Sequence, residues 1–486
     1  MNKPIRTMAI FCMLLFLGLM ANATYLQYIQ ADELSESQYN RRVIVESFSR
    51  ERGAILVGRD PVAESRPSDD EYKFQRTYPQ PLRYAHVTGW FSYFSQAGVE
   101  RTQNDVLSGE DDRLFVTRLL DMVSNSSPQG GSVELTLSQA AQVAAYDGLA
   151  ALGENVQGAV VALEPSTGKV LAMVSSPSFD PNRLASHDLG AVQDVDQELN
   201  TREDEPKLNR AISTTLPPGS TFKLVTAAAA IETGNYDADA LVPGGPTYQL
   251  PQSTVKIGNG GRSCGTDRIP MIQALEQSCN TTFLALAEEL GNEKMTEQAE
   301  KFGFNATSLE DLAGQAPSKY PEGANEPNTA LTGIGQFDVT ATPLQMAMVV
   351  SAIANDGDLM RPYLVDEVRS PDLDTLDKTE PERIREAMSS STAFELKKML
   401  VSVVANGTGT PAAIPGVDVG GKTGTAESGS DQRTNYAWFV SLAPADDPQV
   451  AVAVMIQNAG VPNDDIAGGR LAGPIAKSVM EAVIDQ

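Results

Sequence analysis

Along the chain the apolar positions fall into four successive patterns. The first is a nearly unbroken run over 8–21, carried on by Ala23, Tyr25, Leu26 and Tyr28. From 8 to 28 it is just long enough to cross a bilayer as a helix. The second pattern, over 41–109, is broken. Short β-like runs (RRVIVESF, GAILV) alternate with polar stretches such as ESRPSDDEYK, as in an irregular module that contains strands. The third is helical: SQAAQVAAYDGLAAL over 138–152, then PMIQALEQ, NTTFLALAEEL, TPLQMAMVVSAIAND and STAFELKKMLVSVVAN. Between the first two of these helices, GAVVALEPSTGKVLAMVSSP predicts a hairpin with apolar arms, and the acidic stretch DLGAVQDVDQELNTREDEPK predicts a surface loop. The fourth returns to strands, VDVGGKTGTAE, TNYAWFVSLAPA and QVAVAVMIQNAG, before a last helix, AGPIAKSVMEAVIDQ. Strands at both ends of the second half thus flank an all-helical middle. One antiparallel sheet built from both ends, with helices covering it, fits that order.

The chain has 486 residues, 41% hydrophobic and 21% charged, which suits a folded protein of several domains. Its net charge of −26 leaves no basic stripe for a phosphate backbone, so nucleic acid is not an expected partner. Lys3 and Arg6 precede the apolar run and no cation closely follows it, which fits a cytoplasmic N-terminus. Two readings of the run compete. Tyr25 and Tyr28 suit the interfacial belt of an uncleaved anchor, whereas Ala21-Asn22-Ala23 is an A-x-A site of a cleaved signal peptide. Both put the bulk of the chain outside the cytoplasm. There Cys264 and Cys279 can form a disulfide, or remain two unrelated thiols. Two separated histidines, His86 and His187, pair with no cysteine cluster, so no metal or other cofactor is expected.

Three S-x-x-K patterns occur: Ser166–Lys169, Ser220–Lys223 and Ser253–Lys256. The first lies in the hairpin turn. The second member of interest, Ser253, lies where Val255 and Ile257 alternate with polar residues, so Ser253 and Lys256 are expected on opposite faces of a strand. Only Ser220, after LPPG, opens a helix. It reads either as an N-cap or as a nucleophile whose base, Lys223, shares its helix face. EQSCNTTF carries the one S-x-N, Ser278-Cys279-Asn280, in which Asn280 by itself reads as a helix cap. GGKTGTAE carries the one K-T-G, Lys422-Thr423-Gly424.

S-x-x-K, S-x-N and K-T-G in that order form a set known from penicillin-binding proteins and serine β-lactamases. The chain resembles the penicillin-binding transpeptidases over nearly its whole length. RGAILV, RTYPQPLRYAHVTGW and AGVERTQNDVLSG look like pedestal segments of the class B enzymes, and GIGQFDVTATPLQMA, NGTGTPA and YAWFVSLAPA look like landmarks beside their active site. The compact length resembles the short penicillin-binding protein A type, associated with septal wall synthesis. The resemblance implies an α/β (α+β) fold: a transpeptidase domain over 153–486 with a five-stranded antiparallel sheet flanked by helices. Before it come a cytoplasmic tail (1–7), a transmembrane anchor (8–28) and a strand-containing pedestal (29–152).

It also implies an activity, peptidoglycan D,D-transpeptidation through a serine acyl-enzyme on the outer face of the cell membrane. Stem peptides and β-lactam antibiotics are the implied ligands, and wall-synthesis or division proteins the implied partners. Ser220 would attack the carbonyl of D-Ala–D-Ala, Lys223 would serve as base, and Ser278 would relay a proton to the leaving amine. Asn280 would bond the substrate backbone or Lys223. Lys422, Thr423, Gly424 and Thr425 would line the strand facing the substrate, and the N–H groups of Ser220 and Thr425 would form the oxyanion hole. A D,D-carboxypeptidase, a serine β-lactamase, and a β-lactam sensor or divisome scaffold are the rival readings. A Ser-His-Asp triad has no support, since no serine sits in G-x-S-x-G.

Overall fold

Five strands rich in Val, Ala and Ile form the central sheet of the computed structural model, which describes residues 3–30, 45, 48–114, 129–427, 435–462 and 465–485. Their spatial order is Gly420–Glu427, Asn435–Ala443, Val450–Asn458, Gln157–Leu163, Val170–Ser176, antiparallel throughout. The register sets Thr423 opposite Phe439, Phe439 opposite Val454 and Val454 opposite Val160. Successive side chains alternate between faces, and both faces are covered. Val160, Val452, Val454 and Phe439 pack with the helices Gln139–Ala150 and Gly473–Ile484. Ala159, Val161, Val440 and Ala453 pack with the helix Pro343–Ala354 on the other side. Burial on both faces explains why these strands read as apolar runs rather than as an alternation.

The five-stranded antiparallel sheet flanked by helices is as expected, and three other expectations change. The acidic stretch after the hairpin is a helix, Leu189–Thr201, and not a loop; Asp188 caps it by accepting from the Ala191 N–H. Its apolar stripe, Val192, Val195 and Leu199, is spaced at helical intervals and hidden among acids and amides; Val195 and Leu199 pack with Phe179 and Leu184. The middle of the second half is not all helical. It carries paired short strands, among them Leu241–Pro243 with Arg268–Pro270 and Thr247–Gln249 with Lys256–Gly258. These strands are three residues long and leave no periodic signal.

The pedestal is the third change. Its sheet has six strands, in the order Thr375–Lys378, Val365–Arg369, Ser132–Leu135, Ile55–Val57, Asp60–Pro67, Phe74–Thr77. The first two come from the second half of the chain, so the sheet does not close within 29–152. The helix Gln139–Ala150 also lies on the central sheet rather than in the pedestal. Beside the pedestal sheet Glu100 is wholly buried between two arginines, with Arg52 Nε and Arg76 Nε each 2.6 Å from a carboxylate oxygen. Burial alone would raise the Glu100 carboxyl; Arg76 and Arg52 outweigh it and hold the group below its usual range. At the N-terminus a single apolar helix, Lys3–Thr24 continued through Tyr25–Ile29, stands clear of the rest with no buried residue. The β-like run 41–48 lies mostly outside the described residues.

Candidate active site

Ser220 sits in one tight turn, Gly219–Phe222, that runs into the helix Lys223–Glu232. Residues 223–231 of that helix are all buried, Lys223 included. A helix apolar all round belongs inside a layer rather than on a surface. Ser220 does not cap it, and among the described residues its hydroxyl has no hydrogen-bond partner. The nucleophile candidate is thus half-buried and uncommitted. Gly219 has φ +53° and lies hard against the edge strand; a Cβ there would come within 2.8 Å of the Thr425 carbonyl oxygen. Its N–H donates to the Gly335 carbonyl (3.1 Å), which puts the GIGQ segment behind the serine turn.

Lys223 reaches across to the S-x-N triplet. Its Nζ donates to the Ser278 carbonyl oxygen (2.8 Å) and to Asn280 Oδ1 (2.8 Å), and lies 3.3 Å from Ser278 Oγ. Lys422 approaches the same hydroxyl from the other wall, donating to Ser278 Oγ (2.8 Å) and to the Thr423 carbonyl (2.9 Å). Both lysines are fully buried, and the Phe283 ring lies 5.6 Å from Lys223 Nζ. Burial pushes Lys223 well below the usual lysine range, and the positive charges of Lys422 and Arg262 push the same way. Lys422 is also pushed well down, by burial and then by Arg262. Ser278 holds φ +55°, a conformation uncommon for a residue with a Cβ. That backbone turn lets its carbonyl face one lysine and its hydroxyl the other.

Asn280 does not cap the helix Asn280–Lys301 that it begins. Its Oδ1 accepts from Lys223 and its Nδ2 donates to the Gly258 carbonyl (3.0 Å), so both ends of the amide are used within the protein. Beside it, Asn259 Oδ1 accepts from the Thr281 N–H (3.0 Å). Cys264 and Cys279 are joined, with Cα atoms 5.8 Å apart. On the facing wall Thr423 Oγ1 is 2.8 Å from Thr408 Oγ1, in the NGTGTPA segment. At Gly424 a Cβ would meet Trp438 Cβ at 2.8 Å and the Pro218 carbonyl oxygen at 2.9 Å. A glycine is therefore required where the strand passes the serine turn. Thr425 is half-buried. The strand Gly420–Glu427 is an edge of the sheet.

The structure therefore brings Ser220, Lys223, Ser278, Asn280 and the Lys422–Thr425 strand together around one cleft. The other two patterns stay apart from it. Ser166 is on an exposed turn with Lys169 paired to Asp366 (3.1 Å). Ser253 lies in the turn before the strand Lys256–Gly258, not within a strand, and Lys256 is exposed. His86 bonds the Pro206 carbonyl and His187 bonds Asp70, so neither pairs with a serine of the cleft. Sequence reasoning did not single out Arg262, Asn259 or Thr408. The only signal for Asn259 and Arg262 was their place in a glycine-rich loop, GNGGR, just before Cys264.

Residues 158–481 match the penicillin binding protein transpeptidase domain, and residues 52–133 match the penicillin binding protein A dimerisation domain. The chain is 41% identical to the peptidoglycan D,D-transpeptidase PbpA of Mycolicibacterium smegmatis over 490 residues, covering 100% of this chain and 99% of that protein. It is 40% identical to PbpA of Mycobacterium tuberculosis over 493 residues, again covering 100% and 99%. Its fold superposes on a ceftriaxone acyl-enzyme complex of M. tuberculosis penicillin-binding protein A with a TM-score of 0.86 and 39% identity, covering 90% of this chain and 100% of that one.

Proposed function

The chain belongs to the penicillin-binding protein transpeptidase family, and from that premise we propose that it cross-links peptidoglycan with Ser220 as nucleophile and Lys223 as its base. It is a serine-type peptidoglycan D,D-transpeptidase of the PbpA kind and a target of β-lactams. One observation carries the assignment of roles. Lys223 is buried without a carboxylate and directs Nζ at two carbonyl-type oxygens, each at 2.8 Å. A neutral amine has two N–H donors and one lone pair. With both donors spent on the Ser278 carbonyl and Asn280 Oδ1, the lone pair is left to accept a proton, with Ser278 Oγ at 3.3 Å as the relay to which that proton can pass. Ser220, one helical turn earlier with a free hydroxyl, is the group to supply it.

The reaction then runs in two halves. Ser220 Oγ attacks the carbonyl of the penultimate D-Ala and Lys223 takes the hydroxyl proton. The oxyanion is held by the N–H groups of Ser220 and Thr425. Ser278, between the two lysine nitrogens, passes a proton to the departing D-Ala nitrogen as the C–N bond breaks. In the second half the amino group of an acceptor stem peptide attacks the ester, loses a proton by the same route, and releases Ser220 with a new amide. The free edge of the strand Gly420–Glu427 can hold the substrate backbone as an added strand. Lys422, Thr423 and Thr425 there suit its terminal carboxylate, and Gly424 lets the strand approach. A β-lactam follows the first half and stops there.

We assign the domains as a cytoplasmic tail, one membrane helix, a pedestal and a transpeptidase domain on the outer face. Lys3 and Arg6 ahead of the apolar helix, and a disulfide beyond it, support that orientation. A pedestal between anchor and catalytic domain favours cross-linking over trimming, because it holds the cleft among glycan strands. On the resemblance to the short type we place its work at the septum, with division proteins as partners. The test supplies a thioester donor with a D-amino acid acceptor. Transfer to the acceptor is expected; transfer to water alone, with acceptor in excess, would make the protein a carboxypeptidase.

A further inference from the structure

The loop before Cys264 is fastened to the S-x-N triplet at three points. Gly258 accepts from Asn280, Asn259 accepts from the Thr281 N–H, and Cys264 is bonded to Cys279. Arg262 stands between these fastenings, its own N–H donating to the Asn259 carbonyl (3.3 Å). The loop cannot swing away without breaking a bond to the catalytic wall, so Arg262 is held at the rim of the cleft. Its side chain is exposed and has no carboxylate or other hydrogen-bond partner among the described residues. Its charge is felt by both Lys223 and Lys422, and no acidic side chain offsets it at either lysine. The chain as a whole carries 26 more acids than bases. A rim guanidinium with no acidic partner among the described residues is therefore a local exception, and it suits an anionic ligand.

We propose that Arg262 is a specificity-determining residue that binds a carboxylate of the donor stem peptide. The inference rests on the transpeptidase reading and adds a contact outside the three motifs. Lys422 already donates to Ser278 and the Thr423 carbonyl, whereas the guanidinium of Arg262 has all its donors free. A guanidinium grips a carboxylate through two parallel N–H bonds, which an ammonium cannot do. Two carboxylates of a donor have this chemistry: the terminal one on the leaving D-Ala, and a side-chain one on the residue before the D-Ala–D-Ala pair.

The experiment uses the full-length protein and three synthetic donors ending in D-Ala–D-Ala. One carries both carboxylates, one has the side-chain carboxylate replaced by carboxamide, and one has the terminal carboxylate replaced by methylamide. Arg262→Gln is expected to lower kcat/KM about tenfold on the double acid, through KM, and to abolish the preference for one acid over its amide. Arg262→Lys should restore part of it. Whichever amide erases the difference between Arg262→Gln and wild type identifies the carboxylate held. An equal loss on all three donors, or a shifted pH profile with KM unchanged, overturns the inference, since Arg262 would then act through the loop or the lysines. A wild-type protein that is acylated by penicillin but shows no preference among the donors also overturns it, and leaves the transpeptidase reading standing. Failure of penicillin and of every donor to acylate Ser220 overturns both.

Discussion

Replacing Asn280 by aspartate changes one atom of the side chain and puts a negative charge on the partner of Lys223. The carboxylate oxygen that takes the place of Oδ1 inherits a 2.8 Å contact to Lys223 Nζ. An opposite charge within a few ångströms stabilises the ammonium and raises its pKa by about one to three pH units, or ~1.4–4 kcal/mol in favour of the charged form. Lys223 acts as base only when neutral, so activity is present above its pKa and is lost as pH falls through it. Raising that pKa moves the loss to higher pH. Below the wild-type pKa, where both proteins must first lose a proton from Lys223, Asn280→Asp should acylate roughly 10- to 1000-fold more slowly. The deficit should shrink about tenfold per pH unit as pH rises towards the new pKa. The second carboxylate oxygen faces the Gly258 carbonyl, 3.0 Å from the present Nδ2, so some loss of loop anchoring accompanies the change. Asn280→Ala separates the two effects: it loses the same tether, adds no charge, and should slow acylation without moving the pH profile to higher pH. The assay is the second-order rate of acylation by a fluorescent penicillin between pH 5 and 10. If Asn280→Asp and Asn280→Ala give parallel pH profiles, the argument for a neutral Lys223 base is refuted.

Ser220→Ala should abolish the penicillin adduct seen by mass spectrometry while leaving thermal unfolding unchanged; an adduct on the peptide bearing Ser166 or Ser253 would contradict the assignment. Breaking the Cys264–Cys279 bond, which closes a loop over a sequence separation of 15, should cost about 3 kcal/mol of stability in the chain-entropy account. Thiol titration of the unfolded, unreduced protein should find Cys12 alone; three thiols would rule the bond out. Glu100→Gln leaves Arg52 and Arg76 facing a neutral amide in a buried site and should destabilise the protein by about 3–5 kcal/mol, read in a thermal melt. The acylation rate of the fraction that remains folded should not change, because Glu100 belongs to the pedestal.

The three motifs were legible because each is short, local and unusual in composition. The central sheet was legible because its strands are long and apolar on both faces. What the motifs could not disclose was the division of labour inside them. The fold adds that Lys223 and Lys422 are both buried against one serine hydroxyl. Asn280 by itself read as a helix cap, and only the family resemblance offered Lys223 as its partner; the structure gives Lys223 and Gly258, 57 and 22 residues away. The helix Leu189–Thr201 was hidden by charge, since only three apolar residues mark its stripe. The strands Val365–Arg369 and Thr375–Lys378 are short and half-polar, and their role depends on Ser132–Leu135, some 230 residues earlier, against which Val365–Arg369 pairs. No local pattern records such a pairing.

That pairing sets an order of events in time. The pedestal is first to leave the ribosome, yet its sheet lacks two of six strands until the chain has been made past residue 378. At ordinary synthesis rates the interval between Leu135 and Val365 lasts about 10–50 s. Through it, the strand Ser132–Leu135 offers an open hydrogen-bonding edge to whatever is near. Nascent chains emerging close together would be each other's nearest source of a matching strand, so the chain has a built-in need for shielding until residue 378 has been made. It also follows that the catalytic half made alone, from residue 153 onward, would carry Val365–Arg369 without its pedestal partner and expose a sticky edge of its own.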